Sequence, residues 1–116
     1  MVGAFMESSM IARPTDDPVL RRYKAALEAM YGDQIERVVL FGSRARGDAH
    51  ADSDYDVAVF FKSLPDRWKA RHRLADLRVE FLDATGDFFD TKPFATTAYD
   101  ERTPLMREIR REGVDL

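Results

Sequence analysis

Residues Val38–Phe61 read VVLFGSRARGDAHADSDYDVAVFF, and this stretch decides the fold. An apolar run, Val38 to Phe41, stops at Gly42-Ser43. Ten residues later come Asp54 and Asp56, and a second apolar run from Val57 to Phe61 begins at once. The pattern predicts a strand, a polar turn, and a second strand that opens with two carboxylates. Strand side chains alternate faces, so Asp54 and Asp56 project the same way, with Cα atoms about 6.5–7 Å apart. That separation suits carboxylates that share or bracket Mg²⁺, a hard cation that takes oxygen ligands. Tyr55, Val57, Val59 and Phe61 line the other face. Ala58 and Phe60 continue the aspartate face, so the strand is expected to be buried on both sides beyond its start.

Glycine permits close backbone approach and unusual dihedral angles, which suits Gly42 at the end of the first strand. A short polar turn entering a helix aims backbone N–H groups at one point and favours an anion there. Ser43 adds a hydroxyl, and Arg44 and Arg46 add charges suited to phosphate oxygens. An anion cradle beside a carboxylate pair points to a nucleoside triphosphate with Mg²⁺, and to phosphoryl or nucleotidyl transfer. Each part alone is weak: Gly-Ser is an ordinary turn, and Asp-x-Asp is usually a solvated strand start. Asp52, Asp54 and Asp56 do not make an EF-hand loop, because position six would be Val57 and position twelve Ser63. No Gly-Lys-Ser/Thr follows Gly42, so this is not a Walker A loop.

Gly42-Ser43, ten residues, then Asp54-x-Asp56 resembles the signature of the polymerase-beta-like nucleotidyltransferases. The filling, GSRARG with SDYD, is similar to the minimal nucleotidyltransferase (MNT) group of prokaryotes, and the order of elements extends the likeness through the closing REIRREGV. The resemblance implies an α+β fold, a small mixed sheet of three to four strands flanked by helices. It implies that Gly42, Ser43, Arg44 and Arg46 hold the nucleotide. It also implies that Asp54, Asp56 and a third carboxylate on the neighbouring strand bind two Mg²⁺ ions and carry the catalysis. The donor implied is ATP, with AMP transferred to a hydroxyl. The partner implied is a HEPN-domain toxin whose tyrosine is modified, which makes this chain the antitoxin of a toxin–antitoxin pair. Two alternatives stand beside it: a binding module that neutralises its partner by contact, and a homodimeric small-molecule nucleotidyltransferase. Larger relatives add a second domain for the acceptor. Here the acceptor surface is expected from another protein or another copy.

The rest of the chain fits one domain. With 116 residues, 45% hydrophobic and 34% charged, it can bury one modest core. A net charge of −3 argues against a free nucleic-acid partner. The chain has no cysteine, hence no disulfide or thiolate metal site. No apolar run reaches membrane-spanning length, and the first ten residues lack the charge and apolar core of a signal peptide. A cytoplasmic location is the expectation. Residues 1–15 are expected to be a flexible tail before a domain over 16–116.

Asp17-Pro18 starts a helix, with Asp as N-cap and Pro at the first position. Leu20, Tyr23, Leu27, Met30 and Tyr31 keep helical spacing, and Gly32 stops it. Residues 34–41 and 54–62 are the two strands, broken by Leu64-Pro65. The segment 66–85 carries both periods. Ala70, Leu74, Leu77, Phe81 and Ala84 are helical in spacing, whereas Leu77, Val79 and Phe81 alternate. Length and Gly86 favour the helix. Phe88–Ala95 is then the third strand, at an edge or ending there because of Pro93, and Asp90 is the third carboxylate. Were 66–85 to hold a strand, Glu80 or Asp83 would take that role. His50, Trp68 and His72 read as loop, packing or surface residues. Residues 96–102 are expected as loop. Thr103-Pro104 starts a last helix to Glu112, with Arg107, Arg110 and Arg111 on one face, either complementing the helix dipole or forming a contact patch.

Overall fold

The computed structural model describes residues 16–50, 52–64 and 66–116. The tail expected over residues 1–15 lies outside the described residues. Helix α1 spans Pro18–Tyr31; Asp17 caps it by accepting from the Val19 and Leu20 amides at 2.9 and 3.3 Å. A single 3₁₀ turn, Gly32–Gln34, leads into β1, Ile35–Phe41. The short helix α2 is Ser43–Arg46, and β2 is Tyr55–Phe61. Helix α3 runs from Arg67 to Thr85, capped by the Asp66 side chain and closed by Gly86 in the left-handed region at φ 79°. Strand β3 is Phe89–Ala95, followed by a 3₁₀ segment, Thr96–Asp100. Helix α4 is Pro104–Glu112, with the Thr103 hydroxyl as cap, and β4 is the pair Val114–Asp115.

The four strands form one mixed sheet in the order β3-β2-β1-β4. β1 runs antiparallel to β2 and to β4, while β2 and β3 are parallel. Parallel neighbours need a crossover, and α3 supplies it. Alternation sorts the sheet residues into two cores. Val38, Leu40, Val57, Val59 and Phe89 meet α1 and α3 through Leu20, Tyr23, Leu27, Leu74, Leu77 and Phe81. Val39, Phe41, Ala58 and Phe60 meet α4 through Met106 and Ile109. β2 is therefore covered on both faces, as its unbroken apolar run requires.

The two periods of residues 66–85 resolve in favour of the helix. Ala70, Leu74, Leu77 and Phe81 form its buried stripe, and Val79, the residue that the alternating pattern needed inside, is 56% exposed. The segment expected as loop after Ala95 is a 3₁₀ turn, and β4 carries no pattern of its own. Its two residues pair with Val39 and Leu40 as Gly113 brings the chain back to the sheet. No helix among the described residues is long and apolar enough to cross a membrane.

Candidate active site

The site lies where β1 ends, β2 begins and β3 runs alongside. Gly42 adopts φ 78° and ψ −160°, a backbone conformation that side chains resist. A Cβ at Gly42 would be driven into the Asp56 carboxylate. The glycine therefore has two causes: the turn into α2, and the carboxylate lying against its backbone. The Gly42 carbonyl accepts from the Ala45 and Arg46 amides, each at 3.1 Å, which leaves the Ser43 and Arg44 amides ahead of the helix's own ladder. Gly47, at φ 87°, ends the turn, and its amide returns to the Ser43 carbonyl at 3.0 Å.

Alternation along β2 and β3 places Asp56 and Asp90 on the sheet face that carries α4. Asp56 and Asp90 are register partners across the parallel pair. Asp54 precedes β2 and is exposed, whereas Asp56 and Asp90 are half-buried. The Asp56 carboxyl is held above its ordinary pKa, first by burial and then by the Asp90 charge, with Asp54 and Glu108 of α4 adding to it and Lys92 opposing it. The Lys92 ammonium donates to Asp90 Oδ2 at 2.9 Å. Residues 67–85 are helix, so Glu80 and Asp83 stand on α3 and off the sheet.

The two arginines of the turn part company. The Arg44 Nε and Nη2 donate to the Ser53 carbonyl at 3.0 and 2.8 Å, and its guanidinium lies 4.0 Å over the Tyr55 ring. It thus holds both neighbours of Asp54, the Ser53 carbonyl and the Tyr55 ring. Arg46 reaches toward Asp48, Glu112 and Glu108, at 3.3, 3.4 and 3.9 Å, and joins the turn to α4. Tyr55 is fixed from its other end, where its hydroxyl donates to Asp17 Oδ2 at the head of α1. Burial, followed by that hydrogen bond to Asp17, raises its pKa far above the ordinary phenol value. His50 is exposed and contributes its backbone amide to the Ser53 hydroxyl at 2.8 Å.

Sequence reasoning missed Lys92, Glu108 and the Asp17–Tyr55 link. Lys92 carried a legible signal, since it lies two residues from Asp90 in a strand and so shares its face. Glu108 carried none, because only the packing of α4 brings it near.

The donor set can be tested against a divalent cation. It offers oxygens only, and the Asp56 charge is opposed by burial and by three further carboxylates, Asp90, Asp54 and Glu108, a strain that a cation would relieve. Among the described residues no three acidic or histidine side chains are gathered around one point as they stand, and Lys92 supplies the positive charge nearest Asp90. The chemistry fits, and the Asp56–Asp90 pairing supplies its fixed part.

The sequence profile of the family described as "Polymerase beta, Nucleotidyltransferase" matches residues 25–116. Among curated proteins, the Methanocaldococcus jannaschii protein named "Putative protein adenylyltransferase MJ1305" is 38% identical over 65 residues, covering 55% of this chain and 44% of that protein. A second protein of the same organism, "Putative protein adenylyltransferase MJ0141", is 38% identical over 47 residues, covering 40% of this chain and 48% of that one. The matches thus span about half the length of these relatives. Among solved structures, one described as a "putative minimal nucleotidyltransferase" superposes with TM-score 0.58 at 27% identity, over 90% of this chain and 97% of that one. A toxin–antitoxin structure with AMP-PNP superposes with TM-score 0.57 at 22% identity, over 81% of this chain and 69% of that one, and shares the fold. The profile match covers most of the chain, and the turn, the paired strands and the carboxylates lie within it: the chain belongs to the polymerase beta nucleotidyltransferase family.

Proposed function

We propose that this chain transfers AMP from ATP to a protein hydroxyl, and that it acts as the MNT antitoxin of a HEPN-domain toxin whose tyrosine it modifies. The observation that carries the reading is the register of Asp56 with Asp90 beside the Gly42-Ser43 turn. Relatives named as protein adenylyltransferases support the reaction, and a neighbour described as a toxin–antitoxin with AMP-PNP supports the donor and the setting.

In this reading the Ser43 hydroxyl and the amides at the head of α2 hold the β and γ phosphates. Asp54, Asp56 and Asp90 would hold Mg²⁺, which when bound neutralises the triphosphate and lowers the pKa of the attacking hydroxyl. The hydroxyl oxygen forms a bond to the α phosphorus. The bond from that phosphorus to the bridging oxygen breaks, and pyrophosphate leaves with the electron pair. Asp90 would take the hydroxyl proton, and Lys92, 2.9 Å from it, would limit the build-up of negative charge. Arg44 keeps Asp54 in place through the Ser53 carbonyl. Arg46, tied to Asp48 and to Glu108 and Glu112 of α4, would meet the leaving phosphates once these acidic partners release it.

A second reading rests on the Lys92–Asp90 ion pair. If that pair is permanent, the domain neutralises its partner by contact alone. Transfer of label from α-phosphate-labelled ATP separates the two. The protein with Mg²⁺ is mixed with extract of its own host, beside an Asp54→Asn control. A labelled protein band that disappears in the control is the expected result. Partner capture without label in any product would leave the contact reading standing.

A further inference from the structure

Among the described residues no strand pairs with the outer side of β3, and that edge borders a groove of about 490 Å³, lined by Arg67, Arg71 and Arg78 of α3 and by Asp90, Thr91 and Lys92 of β3. The groove therefore begins at the candidate active site. Its backbone can be phased. The Tyr55 amide donates to the Phe88 carbonyl at 2.9 Å. In a parallel ladder that phase turns the amides and carbonyls of residues 88, 90, 92 and 94 toward β2, and those of 89, 91, 93 and 95 outward. Pro93, which has no amide hydrogen, falls on an outward position, where it forfeits no ladder bond. Phe89, Thr91 and Ala95 are left with outward N–H groups, a template for one more strand.

The two walls of the groove differ. Asp90 lies on the α4 face of the sheet, and the arginines of α3 lie on the other. Arg67 and Arg71 are exposed, and no ion pair joins Arg67, Arg71 or Arg78 to an acidic group among the described residues. A strand added to this edge would present alternate side chains to the two walls.

We propose, resting on the transfer reading above, that the acceptor enters as an extended segment paired to the β3 edge. Acidic residues on either side of the modified hydroxyl residue face Arg67, Arg71 and Arg78, and the hydroxyl between them faces Asp90. The partner chemistry is an acidic peptide strand. Nucleic acid would satisfy the arginines and leave the strand edge unpaired, and it would bring phosphates against Asp90.

The probe is a fluorescent ten-residue peptide of alternating glutamate and tyrosine, compared with its glutamine–tyrosine counterpart and with a ten-nucleotide oligoadenylate. The full chain is used, as wild type, Arg67→Glu/Arg71→Glu, Asp54→Asn, and Arg21→Glu/Arg102→Glu as a charge-matched control. The acidic peptide should bind at least tenfold tighter than the glutamine peptide. Arg67→Glu/Arg71→Glu should erase that preference, while Asp54→Asn and the control keep it. Binding should slow hydrogen exchange at the outward Thr91 amide. Equal affinity for the two peptides, equal binding by Arg67→Glu/Arg71→Glu, unchanged Thr91 exchange, or displacement of the peptide by oligoadenylate at equal concentration would each overturn the docking edge. The transfer reading fails separately: if the acidic peptide binds and protects Thr91 while no label passes to peptide or host protein, the edge stands and the enzyme does not.

Discussion

Gly42 has no side chain because the Asp56 carboxylate lies where its Cβ would be. Gly42→Ala should cost about 1–3 kcal/mol through its left-handed φ and the displaced carboxylate, and transfer should fall below detection even where the variant still melts cooperatively. A thermal melt beside the label assay checks both. Asp56 allows a prediction of the opposite sign. Its folded pKa lies above the unfolded one, so the folded state binds this proton more tightly. That contribution to stability is present at low pH and is lost as pH rises from the ordinary carboxylate range through the raised value. Asp56→Asn should therefore raise the Tm of the protein in chelator at pH 7 by roughly 2–5 °C, and the gain should shrink as pH falls toward 4. Mg²⁺ should stabilise the wild type and leave Asp56→Asn unmoved. A metal-free Asp56→Asn protein no more stable than wild type would contradict the strained-charge account.

At the scale of elements, Asp17 performs two tasks. One oxygen caps α1, and the other accepts the Tyr55 hydroxyl from the strand that carries the site. Asp17→Ala should cost about 1 kcal/mol for the cap and about 1–3 kcal/mol more for the orphaned phenol. A double-mutant cycle with Tyr55→Phe, read by denaturant unfolding, should return a coupling of about 1 kcal/mol or more. Additivity of the two losses would show that the link carries no energy. α4 is seated just as closely. A Cβ at Gly113 would press on the Ile109 carbonyl and on Val39, although Gly113 has an ordinary φ of −71°. Gly113→Ala is thus a packing lesion, expected to cost about 1–3 kcal/mol and, by lifting Glu108 from the site, to shift the pH profile of transfer.

On the scale of the molecule, the sheet between α1, α3 and α4 gathers the candidate site and, among the described residues, leaves its β3 rim unpaired. The β4 edge is two residues long, whereas the β3 edge offers seven, with Asp90 near one end and the α3 arginines above. Trp68, Val79 and Leu82 keep large apolar surfaces exposed on the same helix. The charge balance of −3 hid this basic groove, because a total cannot reveal a local excess.

The sequence by itself determined the parts whose causes are local. Gly42-Ser43 ends one apolar run, Asp54 and Asp56 open the next, and Asp17-Pro18, Gly86 and Thr103-Pro104 mark helix ends by capping chemistry confined to a few residues. The period of two settled which face of β2 carries Asp56. Residues 66–85 held both periods; length and Gly86 favoured the helix, and the packing of Leu74, Leu77 and Phe81 on the core bears it out. The tertiary structure alone decided the rest. It set the register that pairs Asp56 with Asp90, sent Arg44 to Ser53 and Arg46 to α4, and drew two residues without a pattern into β4. Each of these depends on where distant segments come to lie, and parallel register is fixed by the packing of a crossover helix rather than by any signal in the strands it joins.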